Sequence, residues 1–317
     1  MPRFAEARAA RARRAGGLRI AIAADRVDWH VKELVAAFAR AGAPAIAMKL
    51  SACGFDTRRA SGLTIKGFGY GLPDAMLVRA IGVGSFEEIT LRLGVMHALG
   101  ECGVVVHNSA RAVERCVDKA ATSFLLARNG IATPPTWTVQ SRVQAEAIVR
   151  REAVHGPLVM KPLFGAQGRG LKLVRRARDL PPHEEIAGVY YLQRFIGQDG
   201  GGFSDVRLLV SGGRSIAAMR RRASHWITNV KLGGRPEAYL ADREEIDLAI
   251  RAAAAVGADF AGVDLIRGRD GGVYVLEVNS MPGWRGLQSV TQTRIADVLA
   301  RDFLAALEDR RTAAISA

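Results

Sequence analysis

The chain is short of cysteine, of clustered histidine and of aromatic side chains, and each shortage closes a class of function. Its three cysteines, Cys53, Cys102 and Cys116, are odd in number and irregularly spaced. They build no disulfide framework and point to a reducing compartment, the cytoplasm. The six histidines lie far apart, with no H-x-x-x-H and no C-x-x-C, so no Cys/His metal site is expected. No run of about 18 uninterrupted apolar residues occurs, so no transmembrane helix is expected. Aromatics make up 6% of 317 residues, against 49% hydrophobic residues in all, so the core is aliphatic and alanine-rich. That length is enough for two or three domains.

Acidic residues are also in deficit, 31 against 45 Lys and Arg, giving a formal net charge of +14. Such a balance favours an anionic partner: a nucleotide, a polyacidic substrate or a nucleic acid. The first 17 residues carry Arg3, Arg8, Arg11, Arg13 and Arg14 against Glu6. They have no apolar core and no serine, so they read as a basic tail and as neither a secretory signal nor a transit peptide. Nucleic acid fits poorly as the partner, because aromatics are not interleaved with the basic residues and no RRM, KH or helix-turn-helix pattern is present.

After the tail, LRIAIAA (18–24), PAIAMKL (44–50), DAMLVRAIG (74–82) and GVVVHNS (103–109) read as strands alternating with helices. This implies a doubly wound parallel sheet over 18–110. The helix after the third strand opens with a capping box, Ser85 and Glu88. A single long helix is expected over 109–130, ended by Asn129-Gly130, and another over 141–155. PLVMKPL and GLKLVRR form a hairpin, VYYLQRFI (189–196) a strand, and 203–222 a second hairpin. A helix with Asp242 as N-cap, Glu245 three residues on and Gly257 as stop precedes a last pair of strands. The fold class is α/β with an α+β remainder, divided as 1–17, 18–110, 111–188 and 189–310.

Residues 161–170, KPLFGAQGRG, are glycine-rich and basic. The stretch lacks the G-x-x-x-x-G-K-[ST] of a P-loop, and Gly165, Gly168 and Gly170 run in the reverse of the dinucleotide order. Lying between two strands, it is either a flap over phosphate or a surface hairpin. The last hairpin, FAGVDLIRGRDGGVYVLEVNSMPG (260–283), turns at Asp270-Gly271. Symmetry about that turn pairs Asp264 with Glu277, and alternation puts Asn279 on the same face. Val263, Leu265, Leu276 and Val278 read as the apolar opposite face. Two facing acids repel unless a cation intervenes, and three oxygen donors suit Mg²⁺; the alternative is two surface carboxylates.

The ordered set K-P-x-x-G-x-Q-G-x-G, YYLQRFI, D-x-R, HWITNV…GG, V-D and E-V-N-x-x-P-G resembles the ATP-grasp enzymes. It is most similar to the RimK-type amino-acid ligases, and GVVVHNSARAVERCVDKAATSFLLARNGIATPPTW and EVNSMPGWRGLQ to their tetrahydromethanopterin α-L-glutamate ligase branch. The resemblance spans about residues 74–300 and implies a two-lobed ATP-grasp domain. It implies ATP and Mg²⁺ (or Mn²⁺) as cofactors, and an amino acid, L-glutamate above all, joined to an acceptor carboxylate through an acyl phosphate. The acceptor is a pterin or furan C1 cofactor, or a protein or peptide tail. Such ligases are often homo-oligomers.

Carried onto this chain, the resemblance assigns Lys119 and Lys161 to the ATP phosphates, with Gly165, Gln167, Gly168 and Gly170 in the flap. Gln193, Arg194 and Phe195 fall on the adenine hinge; members often carry glutamate where Arg194 stands. Asp205 and Arg207 match the D-x-R pair, open between a ribose-phosphate contact and a cross-sheet ion pair. Arg221 matches the arginine that faces the transferred phosphoryl group, with Arg220 and Arg222 one position away. Asn229 matches the asparagine before the paired glycines, and Asp264, Glu277 and Asn279 match the metal set. Arg285 is placed to hold a carboxylate of amino acid or acceptor. Ribosomal-protein ligases carry arginine and histidine where this chain has Ile227 and Lys231, which argues against that acceptor.

Overall fold

The computed structural model describes residues 17–165, 168–197 and 202–315. β1 (Ile20–Ala23), β2 (Ala45–Met48), β5 (Ala75–Val78) and β6 (Val105–His107) form a parallel sheet in the order β2-β1-β5-β6. β3 (Gly54–Phe55) and β4 (Leu63–Thr64) make a small separate hairpin. Alternation along the sheet strands serves two cores. Ile20, Ile22, Ala75 and Leu77 pack with α1 (Trp29–Arg40), while Ala21, Ala23, Met76 and Val78 pack with α2 (Phe86–Glu101). The sheet is therefore doubly wound as expected. Asp28 caps α1 by accepting from the Val31 amide, and Gly42 ends it at φ +72°. Ser85 and Glu88 form the expected capping box of α2.

The helix expected over 109–130 is broken. α3 (Ala110–Val117) ends and α4 (Lys119–Arg128) begins at Asp118, whose ψ is 102°. Its carboxylate accepts from the amides of Ala120 and Ala121, so it acts as an N-cap inside what reads as one helical run. The break puts Lys119 in the first turn of a new helix.

The second sheet has the order β7-β10-β8-β9, all antiparallel: β7 (Thr136–Val139), β8 (Leu158–Lys161), β9 (Lys172–Val174) and β10 (Tyr190–Arg194). α5 (Arg142–Glu152) covers it through Ala145, Ile148 and Val149. β10 lies in the middle of this sheet, so Tyr190–Arg194 groups with β7, β8 and β9. The third sheet has the order β13-β12-β11-β14-β15: β11 (Phe203–Ser211), β12 (Arg214–Ala223), β13 (Arg235–Ala238), β14 (Phe260–Arg267) and β15 (Val273–Asn279). α6 (Arg243–Val256), with the Asp242–Glu245 capping box, covers its apolar face.

The short helix α7 (Arg285–Gln288) follows β15, and α8 (Ile295–Ile315) returns to pack on α1, with Phe303 edge-on to Phe38 at 5.3 Å. Buried Asn108 ties the first sheet to the third. Its Nδ2 donates to the carbonyls of Phe260 and Ser280, and its Oδ1 accepts from the amides of Asp259 and Phe260. These four bonds hold the end of β6 against the start of β14 and the turn after Asn279. No helix among the described residues is long and apolar enough to cross a membrane.

Candidate active site

Strand register assembles the charged floor of the site. Asp205 and Arg207 lie on one face of β11. Asp205 stands opposite Arg221 of β12, Arg207 opposite Asp264 of β14, and Asp264 opposite Glu277 of β15. The pairing of Asp264 with Glu277 is the one the turn symmetry predicts, and Asn279 follows two residues on, opposite Gly262. A bulge between Asp264 and Leu265 then shifts the register, so Val275, not Leu276, joins Val263, Leu265 and Val278 in the core beneath.

The floor is an alternating chain of charges. Arg207 grips Asp264 with two bonds, Nε to Oδ1 at 2.6 Å and Nη2 to Oδ2 at 2.7 Å. Arg221 donates from Nε to Asp205 at 2.7 Å, adds a second bond from Nη2 to the same carboxylate, and lies 2.9 Å from Asp264 Oδ2. Asp205 and Arg207 thus each take part in a cross-sheet ion pair. Burial works against the Arg221 charge, but Asp264 and Asp205 outweigh it and raise its pKa. Burial likewise opposes the Asp264 carboxylate, and Arg207 and Arg221 together hold it well below the usual range. Arg207 and Arg221 thus neutralise the Asp264 side of the facing acids.

Those bonds decide how the donors fit Mg²⁺. Asp264 Oδ2 takes two donors and Oδ1 one, which leaves one acceptor direction on Oδ1. Glu277 has no hydrogen bond or ion pair among the described residues, so its whole carboxylate is open to a cation. Asn279 Oδ1 accepts the Met281 amide at 2.9 Å and keeps a second lone pair. A hard cation with few protein ligands fits this set, centred on Glu277 and Asn279 with Asp264 completing it.

Opposite the floor stand the two lysines. Lys161, at the end of β8, donates to Gln193 Oε1 at 2.7 Å. Gln193 is buried and is held in turn by Thr136 and the Tyr191 hydroxyl, so it serves to aim the lysine. Burial pushes the Lys161 ammonium down to about 8, with Glu277 opposing the shift. Lys119 is lowered for the same reason and is likewise supported by Glu277. It donates to the carbonyls of Leu163 and Gly165, 3.2 and 2.9 Å away. Lys119 thus ties the first described residues of the glycine stretch to α4. A cavity of about 50 Å³ beneath the stretch is lined by Lys119, Lys161, Gly165, Gly168, Asn229 and Glu277 among others. Gly168 and Gly170 have φ near +73° and +74°. A Cβ on Gly168 would stand 2.6 Å from Asn229 Oδ1, so only glycine lets the flap seat there. Gln167 lies outside the described residues.

One other sequence assignment changes. Arg220 is not in the site: strand alternation turns it to the opposite face, 4.4 Å over the Tyr239 ring, while Arg222 pairs with Glu237. Arg220→Met is accordingly expected to cost about 0.5–1 kcal/mol of stability and leave kcat unchanged; a collapse of kcat in steady-state assays would return Arg220 to the site. Arg194 pairs with Glu152 beside Trp137, so its side chain is not available to adenine. The amides of Arg194 and Phe195 donate to Pro135 and Pro157, so an adenine contact there must use other backbone groups of the segment. Phe195 packs edge-on against Trp226. Arg285 lies over the Trp29 ring at 6.0 Å. Sequence reasoning missed Arg79 and His30, which meet the turn after Asn279; the available signal was their place just beyond two parallel strands.

Comparison with known proteins accords with this geometry. The profile of the RimK-like ATP-grasp domain matches residues 116–303. The tetrahydromethanopterin:alpha-L-glutamate ligase of Methanosarcina acetivorans is 34% identical over 247 residues, 68% of this chain and 74% of that protein. Its counterpart in Methanocaldococcus jannaschii is 35% identical over 236 residues, 71% and 77% of the two chains. Among solved structures, the ATP-grasp ligase PsnB complexed with minimal precursor, Mg and ADP superposes with a TM-score of 0.69 at 23% identity, covering 91% of this chain and 98% of that one. The RimK domain protein ATP-grasp from Sphaerobacter thermophilus gives 0.67 at 25% identity, covering 89% and 98%. With that profile over more than half of its length and relatives 34% and 35% identical over 68% and 71% of it, the chain belongs to the RimK-like ATP-grasp ligases.

Proposed function

We propose that the protein joins L-glutamate to an acceptor carboxylate at the expense of ATP, and that the acceptor belongs to the tetrahydromethanopterin or methylofuran class of C1 cofactors. The observation that carries the ligase chemistry is one cavity in which Lys119, Lys161 and the flap face Glu277. Cations on one wall and an open carboxylate on the other are what a metal–polyphosphate complex requires. The choice of glutamate and of a pterin acceptor is supported by the names of the relatives. Mg²⁺, or Mn²⁺ in its place, supplies charge neutralisation at the phosphates when held by Glu277, Asn279 and Asp264.

The residues divide the work. Lys161, aimed by Gln193, meets phosphate oxygens. Lys119 exchanges its flap carbonyls for phosphate oxygens, which couples nucleotide binding to flap position. The acceptor carboxylate attacks the γ-phosphorus, forming an acyl phosphate and releasing ADP. The glutamate amine, having lost its proton, attacks the acyl carbon and expels phosphate. Arg221 lies under the reacting groups as a fixed positive charge, and Asn229 with Gly168 closes the flap so that water does not reach the acyl phosphate. A cytoplasmic setting and a homo-oligomer accord with the sequence resemblance. The test is mass spectrometry of pterin, furan and peptide-tail acceptors after incubation with Mg²⁺, ATP and glutamate. The expected result is glutamate added to a pterin or furan acceptor with matched ADP release; addition to peptide tails alone would move the acceptor, and no ATP binding with Mg²⁺ would end the ligase reading.

A further inference from the structure

Lys119 and Lys161 reach the cavity from different elements, α4 and the end of β8, and a hydrogen-bonded chain joins those elements behind them. Lys161 donates to Gln193 Oε1 at 2.7 Å. Gln193 Nε2 donates to Thr136 Oγ1 at 3.2 Å and to the Tyr191 hydroxyl at 3.3 Å. The Tyr191 hydroxyl lies 2.8 Å from Ser123 Oγ on α4. Ser123 stands four residues after Lys119, on the same face of that helix. Tyr191 and Gln193 are 1% and 2% exposed, so water does not compete at the centre of the chain.

The direction of every bond in the chain follows from its ends. An ammonium only donates, so Gln193 turns its oxygen to Lys161 and its NH₂ to the two hydroxyls. Thr136 gives its own proton to the Pro134 carbonyl at 2.8 Å and is left to accept from Gln193. Tyr191 accepts from Gln193 and gives its proton to Ser123. Burial pushes the Tyr191 pKa up, so the phenol keeps that proton. Tyr191 also faces Lys161 across the β8–β10 pair, with the ammonium 6.0 Å from the ring centroid. A second tie between α4 and the β8 end runs from Lys119 to the carbonyls of Leu163 and Gly165. Phosphate on Lys119 takes the place of that tie, whereas the Ser123–Tyr191 bond is left intact.

We propose that Tyr191 and Ser123 are positioning residues for the nucleotide: their hydroxyl–hydroxyl bond holds α4 and β8 in register, so that Lys119 and Lys161 meet phosphates of one polyphosphate together. The inference rests on the reading of both lysines as phosphate ligands and adds how their spacing is set. Two cations on separately moving supports must be ordered at the moment of binding, which weakens affinity; a spacing set beforehand removes that cost. Both residues act through the lysines, and neither belongs to the ordered motif set that carries the family resemblance.

The test titrates the full chain with the Mg²⁺ complex of a non-hydrolysable ATP analogue by calorimetry, and measures the urea midpoint of each variant. Tyr191→Phe keeps the ring in the core, and Ser123→Ala places a strong helix former on α4. Each should bind the analogue about tenfold more weakly than wild type. The double variant should bind no more weakly than Tyr191→Phe, because both changes cut one bond. Ser123→Ala should keep the wild-type midpoint, so its lost affinity is not lost stability, and it carries the test alone if Tyr191→Phe fails to fold. Wild-type affinity in either folded variant overturns the proposal, as do losses that add in the double variant or a Ser123→Ala whose affinity falls only with its midpoint. Lys161→Met, titrated beside them, separates the two readings: wild-type affinity there would strike the phosphate role of the lysine itself.

Discussion

Glu277→Gln will lose ligation by about 10²–10³-fold and keep the wild-type unfolding midpoint, whereas Asp264→Asn will lose both. The two carboxylates face each other across one pair of strands, yet their surroundings differ. Glu277 is open to the cavity and is the counter-charge that sustains Lys161 and Lys119. Removing its charge strips the cation site and lowers the charge of both lysines, but breaks no hydrogen bond among the described residues. Asp264 is 5% exposed and carries Arg207 and Arg221. An amide there leaves two buried guanidiniums to share Asp205, and breaking such a buried set costs about 3–5 kcal/mol. ADP-release rates and urea midpoints measured on both variants check the division. Near-wild-type turnover in Glu277→Gln would remove that residue from the metal site, and an unshifted midpoint in Asp264→Asn would mean that the floor does not support the fold.

The parts of this site that the sequence displays are the local ones. The Asp270-Gly271 turn fixes a register by counting, so the facing of Asp264 and Glu277 follows from numbering and alternation alone. The caps of α2 and α6 follow from side chains three residues apart. What depends on distant partners is hidden. An aspartate in a helical run looks the same whether it continues the helix or, like Asp118, caps a new one. The three consecutive arginines of β12 offer two faces, and only the register with β11 shows that Arg221 takes the site and Arg220 the outside. An apolar strand does not announce its sheet, so the place of β10 between β7 and β8 is not legible locally. Arg79 and His30 meet residues 202 and 254 positions away, a distance at which no periodicity carries information. The pairing that quiets Asp264 is hidden in the same way, since its cations come from strands outside its hairpin.

Arg221→Leu will be destabilised by about 3–5 kcal/mol at neutral pH, and the deficit will shrink as the solution is acidified. In wild type the floor alternates acid and base, and Asp264 is held below its ordinary pKa. A depressed carboxylate contributes stability that is complete above the unfolded-state value, near 3.9, and is lost as pH falls through the folded one. Without Arg221, Asp264 keeps only Arg207 against its burial and the nearby Asp205 charge, and its pKa rises above the unfolded value. The folded variant then binds protons more readily than its unfolded chain, so its stability increases as pH falls from 7.5 towards 5 while wild type changes little from this network. Urea unfolding of both proteins at pH 7.5 and 5 reads the gap directly. A gap that stays constant or widens on acidification would show that Arg221 does not neutralise the two aspartates, and would leave its charge free for the phosphoryl group alone. A narrowing gap assigns it both tasks: holding the acids of the floor apart from one another and presenting the remainder of its field to the transferred phosphate.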